Sequence, residues 1–397
     1  MKKVWIVSEF FAPEETATAH ILTKIANHIS EYYDVNVITG PAFYENNKSK
    51  GYDDVFIQET LNKVNVQRVS NTNLDKNKLI TRILRFIILT WKLTIKLGKN
   101  VKKRDAVFIV TNPAPLLLFI SLLKKIKGFP VYILVHDVFP ENTIPAKILK
   151  SRNNIVYKIL EKIFRKAYKS ADKLIVLGRD MKQIILEKIG EINEDKVVII
   201  ENWAESYIQS KDKSENGKID IQYAGNIGRV QGIMNVLEVF AEIENDKVEL
   251  TLWGSGALED QVENFVLNNK RANVFFNGGY SRKEQNFVLN STDISIVTLA
   301  DGMFGLGVPS KTYNILASGR PILFIGDLNS EIALMINEYK CGVCFEPSDL
   351  NGLKQFIETL SLDRLEELKI MGKKAKMLSE TKYSEKNILD KYIKIFE

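Results

Sequence analysis

The stretch AVFIVTNPAPLLLFISLL, residues 106–123, runs for 18 residues without a charge, long enough to span a bilayer if it formed a single helix. Asn112, Pro113 and Pro115 prevent that. Proline has no backbone N–H and cannot sit inside a helix without breaking it, so the run divides into a strand, a turn and a helix. VYILVHD (131–137) follows as a second strand-like run, and the whole reads as a β-α-β unit rather than a membrane span.

Working outward, the same rhythm fills the chain. VWIVSEF (4–10) precedes the helical ATAHILTKIANHIS and then VNVIT; KLIVLG and KVVII alternate with helical patterns at 116–126, 154–171 and 180–190. After the polar stretch QSKDKSENGK (209–218) the alternation restarts with IDIQYAG, VELTLWG, NVFFNG, ISIVTL, PILFIG and GVCFEP. Strands alternating with helices predict parallel, doubly wound α/β sheets, and 397 residues exceed what one hydrophobic core usually serves. The expectation is two Rossmann-like α/β domains, 1–203 and 217–382, facing each other across a cleft. The amphipathic segment 383–397 is expected to pack back onto the first. Parallel sheets bind ligands at the C-terminal ends of their strands, so the cleft is where a site is expected.

Composition narrows the class. The chain is 45% hydrophobic and 26% charged, with two cysteines, Cys341 and Cys344. At i and i+3 of a strand these point to opposite faces, which argues against a redox pair or zinc site. The start MKKVWIVSEFF is broken by Ser8 and Glu9 too early for a secretory signal, so a cytoplasmic location is expected. The net charge of +6 is unevenly spread: residues 61–130 hold 15 basic and 2 acidic residues. Such a block attracts nucleic acid or an anionic membrane. Within it RILRFIILTWKLTIKLGKNVKKR (82–104) places Arg82, Arg85, Lys92, Lys96 and Lys99 at near-helical spacing around Trp91, the pattern of a helix lying on a membrane. A surface helix with a solvated basic face is the competing reading.

Several turns are candidates for chemistry. YAGNIGRVQGI (223–233) offers Gly225, Asn226, Gly228, Arg229, Gln231 and Gly232 between a strand and a helix, where glycines and free amides suit a phosphate. Gly254-Ser255-Gly256 ends another strand. In GVPSKTYN, Ser310 and Lys311 open a short helix and Asn314 shares a face with Lys311; a cation at a helix start calls for an anion to hold. His136 and Asp137 end a buried-looking strand. His20 and His28, on the first predicted helix, are the other histidines. Glu14, Thr16 and Thr18, in the turn after the first strand, should open onto the same cleft, although Pro13 followed by acids also suits a helix start. No Walker sequence, no H-E-x-x-H and no D-x-D pair occurs, so no metal and no cofactor is expected.

Taken in order, TNPAPLLLF, VHDVFPE, SADKLIVLGRDM, VVIIENW, YAGNIGRVQGI, WGSGALE, VPSKTYNILASGRPIL and CGVCFEPSDLNGL resemble the family-4 retaining glycosyltransferases of the GT-B fold. The likeness is strongest to bacterial transferases of surface polysaccharide assembly, of the L-fucosamine and colanic-acid kinds. It implies a nucleotide-sugar donor, expected to be a UDP-sugar and a substrate rather than a cofactor, held by the C-terminal domain. The acceptor it implies is a sugar on undecaprenyl diphosphate at the anionic inner membrane surface, held by the N-terminal domain through Glu14, Thr16 and Thr18. His136, Asp137 and Lys311 would be catalytic. Gly225, Asn226, Gly228, Arg229, Gln231, Gly254, Ser255, Ser310, Lys311 and Asn314 would hold the donor. The family's usual Glu-x7-Glu pair is replaced by Leu306 and Asn314, and Gln231 stands where Lys is common, which leaves Lys311 to supply the missing cation. The expected activity is a metal-independent hexosyl or N-acetylhexosaminyl transfer in capsule, O-antigen or lipopolysaccharide biosynthesis, by an enzyme peripheral to the membrane that has no nucleic-acid partner. A sugar-nucleotide epimerase and a non-catalytic nucleotide-sugar sensor are the alternatives on the same fold.

Overall fold

The computed structural model describes residues 1–41, 58–70, 79–211, 213, 217–269 and 273–397. The first of its two sheets has eight strands in the order β3-β4-β2-β1-β5-β6-β7-β8. They are β1 (Lys3–Ser8), β2 (Asp34–Thr39), β3 (Gln58–Leu61), β4 (Val64–Arg68), β5 (Ala106–Val110), β6 (Val131–Leu134), β7 (Lys173–Val176) and β8 (Val197–Ile199). The helices among them are α1 (Ala17–Ile29), α2 (Leu79–Asn100), α3 (Pro115–Lys127), α4 (Ile155–Ser170) and α5 (Arg179–Ile189). The 106–123 run is β5 followed by α3, with Pro115 at the start of the helix.

The second sheet has six parallel strands in the order β11-β10-β9-β12-β13-β14: β9 (Ile219–Ala224), β10 (Val248–Trp253), β11 (Val274–Phe276), β12 (Ile294–Thr298), β13 (Ile322–Ile325) and β14 (Gly342–Phe345). Around it lie α6 (Ile233–Ala241), α7 (Glu259–Asn268), α8 (Gln285–Asn290), α9 (Lys311–Ala317), α10 (Glu331–Tyr339), α11 (Leu350–Glu358) and α12 (Leu365–Glu380), and α13 (Glu385–Ile395) ends the chain. Every strand of this sheet matches a run expected from the sequence, because strands covered on both faces read as continuous Ile, Val, Leu and Phe.

The first sheet departs from expectation at its edge. The hairpin β3–β4 was not expected, and β3 pairs antiparallel. Val64 and Val66 of β4 are buried while Asn65 and Gln67 are half-exposed, an alternation too short to stand out against the charged residues around it.

The chain crosses between the sheets twice. The linker after β8 buries Ile200, Trp203, Ala204 and Ile208 in a hydrophobic cluster shared by both domains. The segment between α12 and α13 returns beside it, where Ala204 N–H donates to the Tyr383 carbonyl at 2.9 Å and Ala204 bridges to Ser384. Helix α13 then lies along α1, with Lys24–Glu385 at 2.6 Å and His28–Asp390 at 2.8 Å. Phe396 meets Tyr132 edge-on at 5.1 Å. A further inter-domain tie is Arg179 of α5, which grips the buried Glu331 of α10 from Nε at 2.9 Å and Nη2 at 3.0 Å.

Candidate active site between the domains

In each sheet strand order reverses where two connections run in opposite directions, at β1/β5 and at β9/β12, and such points open crevices at the strand C-termini. The two crevices face each other and make one cleft of about 380 Å3. The N-terminal domain and linker contribute Ala17, His20, Ile21, His136, Asp137, Asn202, Trp203 and Glu205 to its wall. The other side includes Tyr223, Gly225, Asn226, Gln231, Arg282, Ser310, Lys311 and Asn314.

Lys311 is the first residue of α9, and its side chain turns inward. Its Nζ lies 3.5 Å from the centroid of the Tyr223 ring, with burial lowering its pKa to about 7. Gly225, at the end of β9, makes room for it: at φ +145° a Cβ would stand 3.3 Å from Lys311 Cδ. Gly254 fits beneath that turn, since a Cβ there would come within 1.8 Å of the Gly225 carbonyl oxygen.

Across the cleft, the backbone N–H groups of His136 and Asp137 both donate to Thr111 Oγ1 at 3.1 Å, which fixes the turn after β6. Burial lowers the His136 pKa to about 4 and raises that of Asp137 to about 6. At pH 7 His136 is therefore neutral and Asp137 mostly ionised. Val138 N–H donates to the Leu306 carbonyl at 3.2 Å, so the two domains touch beside these side chains. At the linker, Asn314 Oδ1 accepts from Glu205 N–H at 2.9 Å, and His20 Nε2 lies 2.5 Å from Glu205 Oε1.

Apart from His20 Nε2, which faces Glu205 Oε1, six buried polar side-chain atoms lining the cleft have no hydrogen-bond partner among the described residues: His136 Nε2, Trp203 Nε1, Glu205 Oε2, Gln231 Oε1, Thr298 Oγ1 and Lys311 Nζ. Folded proteins satisfy nearly all such groups. Six together mark a polar cavity in which Lys311 Nζ is the cationic group.

The structure brings together His136, Asp137, Gly225, Asn226, Gln231, Ser310, Lys311 and Asn314. Others of the expected residues stand elsewhere. Gly228, Arg229, Gly254 and Ser255 do not line the cleft; Arg229 is exposed, and the Ser255 carbonyl accepts from Ile227 N–H at 2.9 Å, so the Gly254-Ser255 turn supports the first turn from behind. Glu14, Thr16 and Thr18 also lie off the cleft wall. Thr16 caps α1, its side chain accepting from Ala19 N–H at 3.2 Å, and α1 faces the cleft with Ala17, His20 and Ile21 instead.

On α2 the side chain of Arg82 lies outside the described residues. Lys92 Nζ donates to Ser70 Oγ at 2.9 Å, Arg85 acts on the Glu9 carboxyl, and Lys96 is half-buried. Among the described side chains of the expected membrane set, only Trp91 and Lys99 are exposed. His20, Trp203, Glu205 and Tyr223 were not expected at the site. The one available signal was the acid following VVIIENW at the domain boundary, since a linker between two facing sheets must pass the cleft.

Two parallel α/β domains facing across a polar cleft define the GT-B class of glycosyltransferases. Residues 205–378 match the family described as Glycosyl transferases group 1, and residues 20–205 match Glycosyltransferase Family 4. The chain is 32% identical over 403 residues to the probable glycosyltransferase WbjE of Pseudomonas aeruginosa, covering 99% of this chain and 97% of that one. It is 23% identical over 247 residues to the putative colanic acid biosynthesis glycosyl transferase WcaI of Escherichia coli, covering 58% and 60% of the two. A solved structure described as trehalose-6-phosphate from E. coli bound with UDP-2-fluoro glucose superposes with a TM-score of 0.73 at 12% identity, covering 100% of this chain and 99% of that one. The protein belongs to the family-4 type of glycosyltransferase, with the GT-B fold.

Proposed function

We propose that this enzyme moves a hexosyl or N-acetylhexosaminyl group from a UDP-sugar to a saccharide on a lipid diphosphate, in bacterial surface polysaccharide assembly, with retention at the anomeric carbon. The carrying observation is the buried, unpartnered Nζ of Lys311 among five other unsatisfied polar atoms of one cleft. A nucleoside diphosphate supplies the matching negative charge. UDP as the nucleotide is supported by the UDP-2-fluoro glucose bound to the E. coli neighbour. The polysaccharide context is supported by the colanic acid role in the name of WcaI, and an L-fucosamine-type donor is the finer form of the reading.

Negative charge grows on the diphosphate as the bond to the anomeric carbon breaks. The Lys311 ammonium, formed when the anion arrives, stabilises that charge from a site shielded from water. No carboxylate is committed to a nucleophile's role in this reading, so the acceptor hydroxyl attacks from the face the leaving group departs, and its proton passes to the leaving phosphate. Asp137 is the residue placed to assist as a base. No metal takes part. The donor is held by Gly225, Asn226, Gln231, Ser310, Lys311 and Asn314, and the acceptor enters from the side of His20, His136 and Asp137. The acceptor's lipid places the enzyme on the inner face of the cell membrane.

The test is incubation of labelled UDP-sugars with a detergent-solubilised lipid diphosphate saccharide. Label on the lipid with retained configuration supports transfer. An isomerised free nucleotide sugar would establish an epimerase, and tight UDP binding without turnover would establish a sensor.

A further inference from the structure

Helix α2 has two apolar stripes. Leu89, Leu93 and Leu97 are fully buried against the core, while Leu84, Ile87, Trp91 and Ile95 are 40–54% exposed on the other side. A helix that packs one face on a domain ordinarily keeps the opposite face polar. Among the described residues, this outward stripe is an apolar face left to solvent.

It does not stand alone. Helix α3 lies between α2 and α4, joined to α2 by the edge-on contact of Phe119 with Trp91 at 5.9 Å and to α4 by Ser121 and Ser170 hydroxyls 2.8 Å apart. Its own outward residues Leu122 and Ile126 are 58% and 81% exposed. Helix α4 buries Tyr157, Phe164, Ala167 and Tyr168 and shows Ile155, Ile159 and Ile163 to solvent, 69%, 53% and 41% exposed, one turn apart. Ile148, in the approach to α4, is 62% exposed. The right-handed crossovers that join β4 to β5, β5 to β6 and β6 to β7 put all three helices on one side of the first sheet, so their outer faces form one surface.

The charge around this surface is one-sided. Residues 147–169 hold eight basic residues and one acidic residue, Glu161, which pairs with Arg165 at 2.8 Å. Arg152, Lys158, Lys162, Lys166 and Lys169 are exposed beside the isoleucines. Apolar side chains ringed by cations match a bilayer interface, where acyl chains lie beneath anionic headgroups.

We infer that the outer faces of α2, α3 and α4 together form a membrane-docking surface, with Ile155, Ile159 and Ile163 entering the acyl boundary and the α4 cations resting on anionic headgroups. The choice of a bilayer over a protein partner rests on the lipid-linked acceptor proposed above. Helix α4 begins at the C-terminal end of β6, the end that carries His136 and Asp137 to the cleft. Its exposed first half therefore lies at the cleft end of the domain, where an acceptor sugar would leave the membrane.

The test is flotation with vesicles of phosphatidylcholine alone or with 30 mol% phosphatidylglycerol, roughly the anionic content at which such surface electrostatics act, at low and high salt. Wild type should float with the anionic vesicles. Ile155→Asn/Ile159→Asn should lose at least about tenfold in binding at both salt concentrations, and Lys158→Glu/Lys162→Glu should lose it mainly at low salt. Thermal melts and UDP titrations of both variants should match wild type, which shows that the fold and cleft are intact. Variants that float like wild type would overturn the inference. So would a wild-type dimer that stays off vesicles and becomes monomeric with the isoleucine substitutions. Turnover with detergent-solubilised acceptor, measured without vesicles, is independent of this surface, so a failed transfer reaction and a failed docking surface are told apart.

Discussion

Lys311 Nζ rests against the face of the Tyr223 ring, 3.5 Å from its centroid, and has no hydrogen-bond partner among the described residues. The ring supplies partial compensation for a cation, and burial still brings the pKa to about 7. The free enzyme thus holds a lysine that gives up its proton far more readily than an exposed one. A bound diphosphate favours the charged form and raises that pKa.

UDP binding should therefore take up a proton, and affinity should fall as pH rises from 7 towards 9, because more of the free lysine must then be protonated. Calorimetry in buffers of different ionisation enthalpy measures the uptake directly. Lys311→Ala should remove it and weaken UDP binding by roughly 1.5–3 kcal/mol, the range for a hydrogen bond to a charged group. Lys311→Arg should recover part of the affinity. Alanine protein with wild-type affinity would return Lys311 to a structural role.

The pH profile of kcat/KM reports groups of the free enzyme. With Asp137 near 6 and Lys311 near 7, a narrow bell is expected, its acid limb from Asp137 and its alkaline limb from Lys311. Asp137→Asn should abolish the acid limb and slow turnover on the order of a hundredfold if the carboxylate assists as a base. Near-full turnover in that variant would remove the base.

Gly225 tests the close approach of backbone and lysine. Gly225→Ala places a methyl 3.3 Å from Lys311 Cδ at φ +145°, a conformation that costs a side chain about 1–3 kcal/mol. Reduced thermal stability together with UDP binding weakened more than about tenfold is expected, read by melting and titration.

Thr16 separates a helix cap from an acceptor contact. Because its hydroxyl accepts from Ala19 N–H, Thr16→Ala should cost about 1 kcal/mol of stability and leave the acceptor KM unchanged. A raised KM at unchanged stability would restore the acceptor role expected from sequence.

Much of the fold was legible because buried parallel strands such as ISIVT and ILFI are uninterrupted apolar runs, and because Pro113 and Pro115 divide the one run that imitates a membrane span. The C-terminal-domain wall of the cleft was partly legible for a related reason: residues after β9 and β12 must reach the strand ends. Residues supplied by remote elements were not. His20 stands one turn into an ordinary amphipathic helix, and nothing local says that Glu205 will be 2.5 Å away. Tyr223 looks like any core aromatic until Lys311 is folded over it. The two sides of α2 could not be told apart in the sequence because Leu, Ile and Trp fill both, and only packing shows that Leu89, Leu93 and Leu97 face inward.

The two inter-domain crossings run side by side, with Ala204 hydrogen-bonded to Tyr383 and bridged to Ser384. A single tether would let one domain swivel in any direction relative to the other, whereas two adjacent ones confine it to rotation about the line that joins them, as in hinged domains generally. The lips of the cleft farthest from Ala204 then travel most and the linker residues Trp203 and Glu205 travel least. Any such rotation has to part the Val138–Leu306 contact beside Asp137 and the Arg179–Glu331 pair, so these two ties set how far the cleft can open.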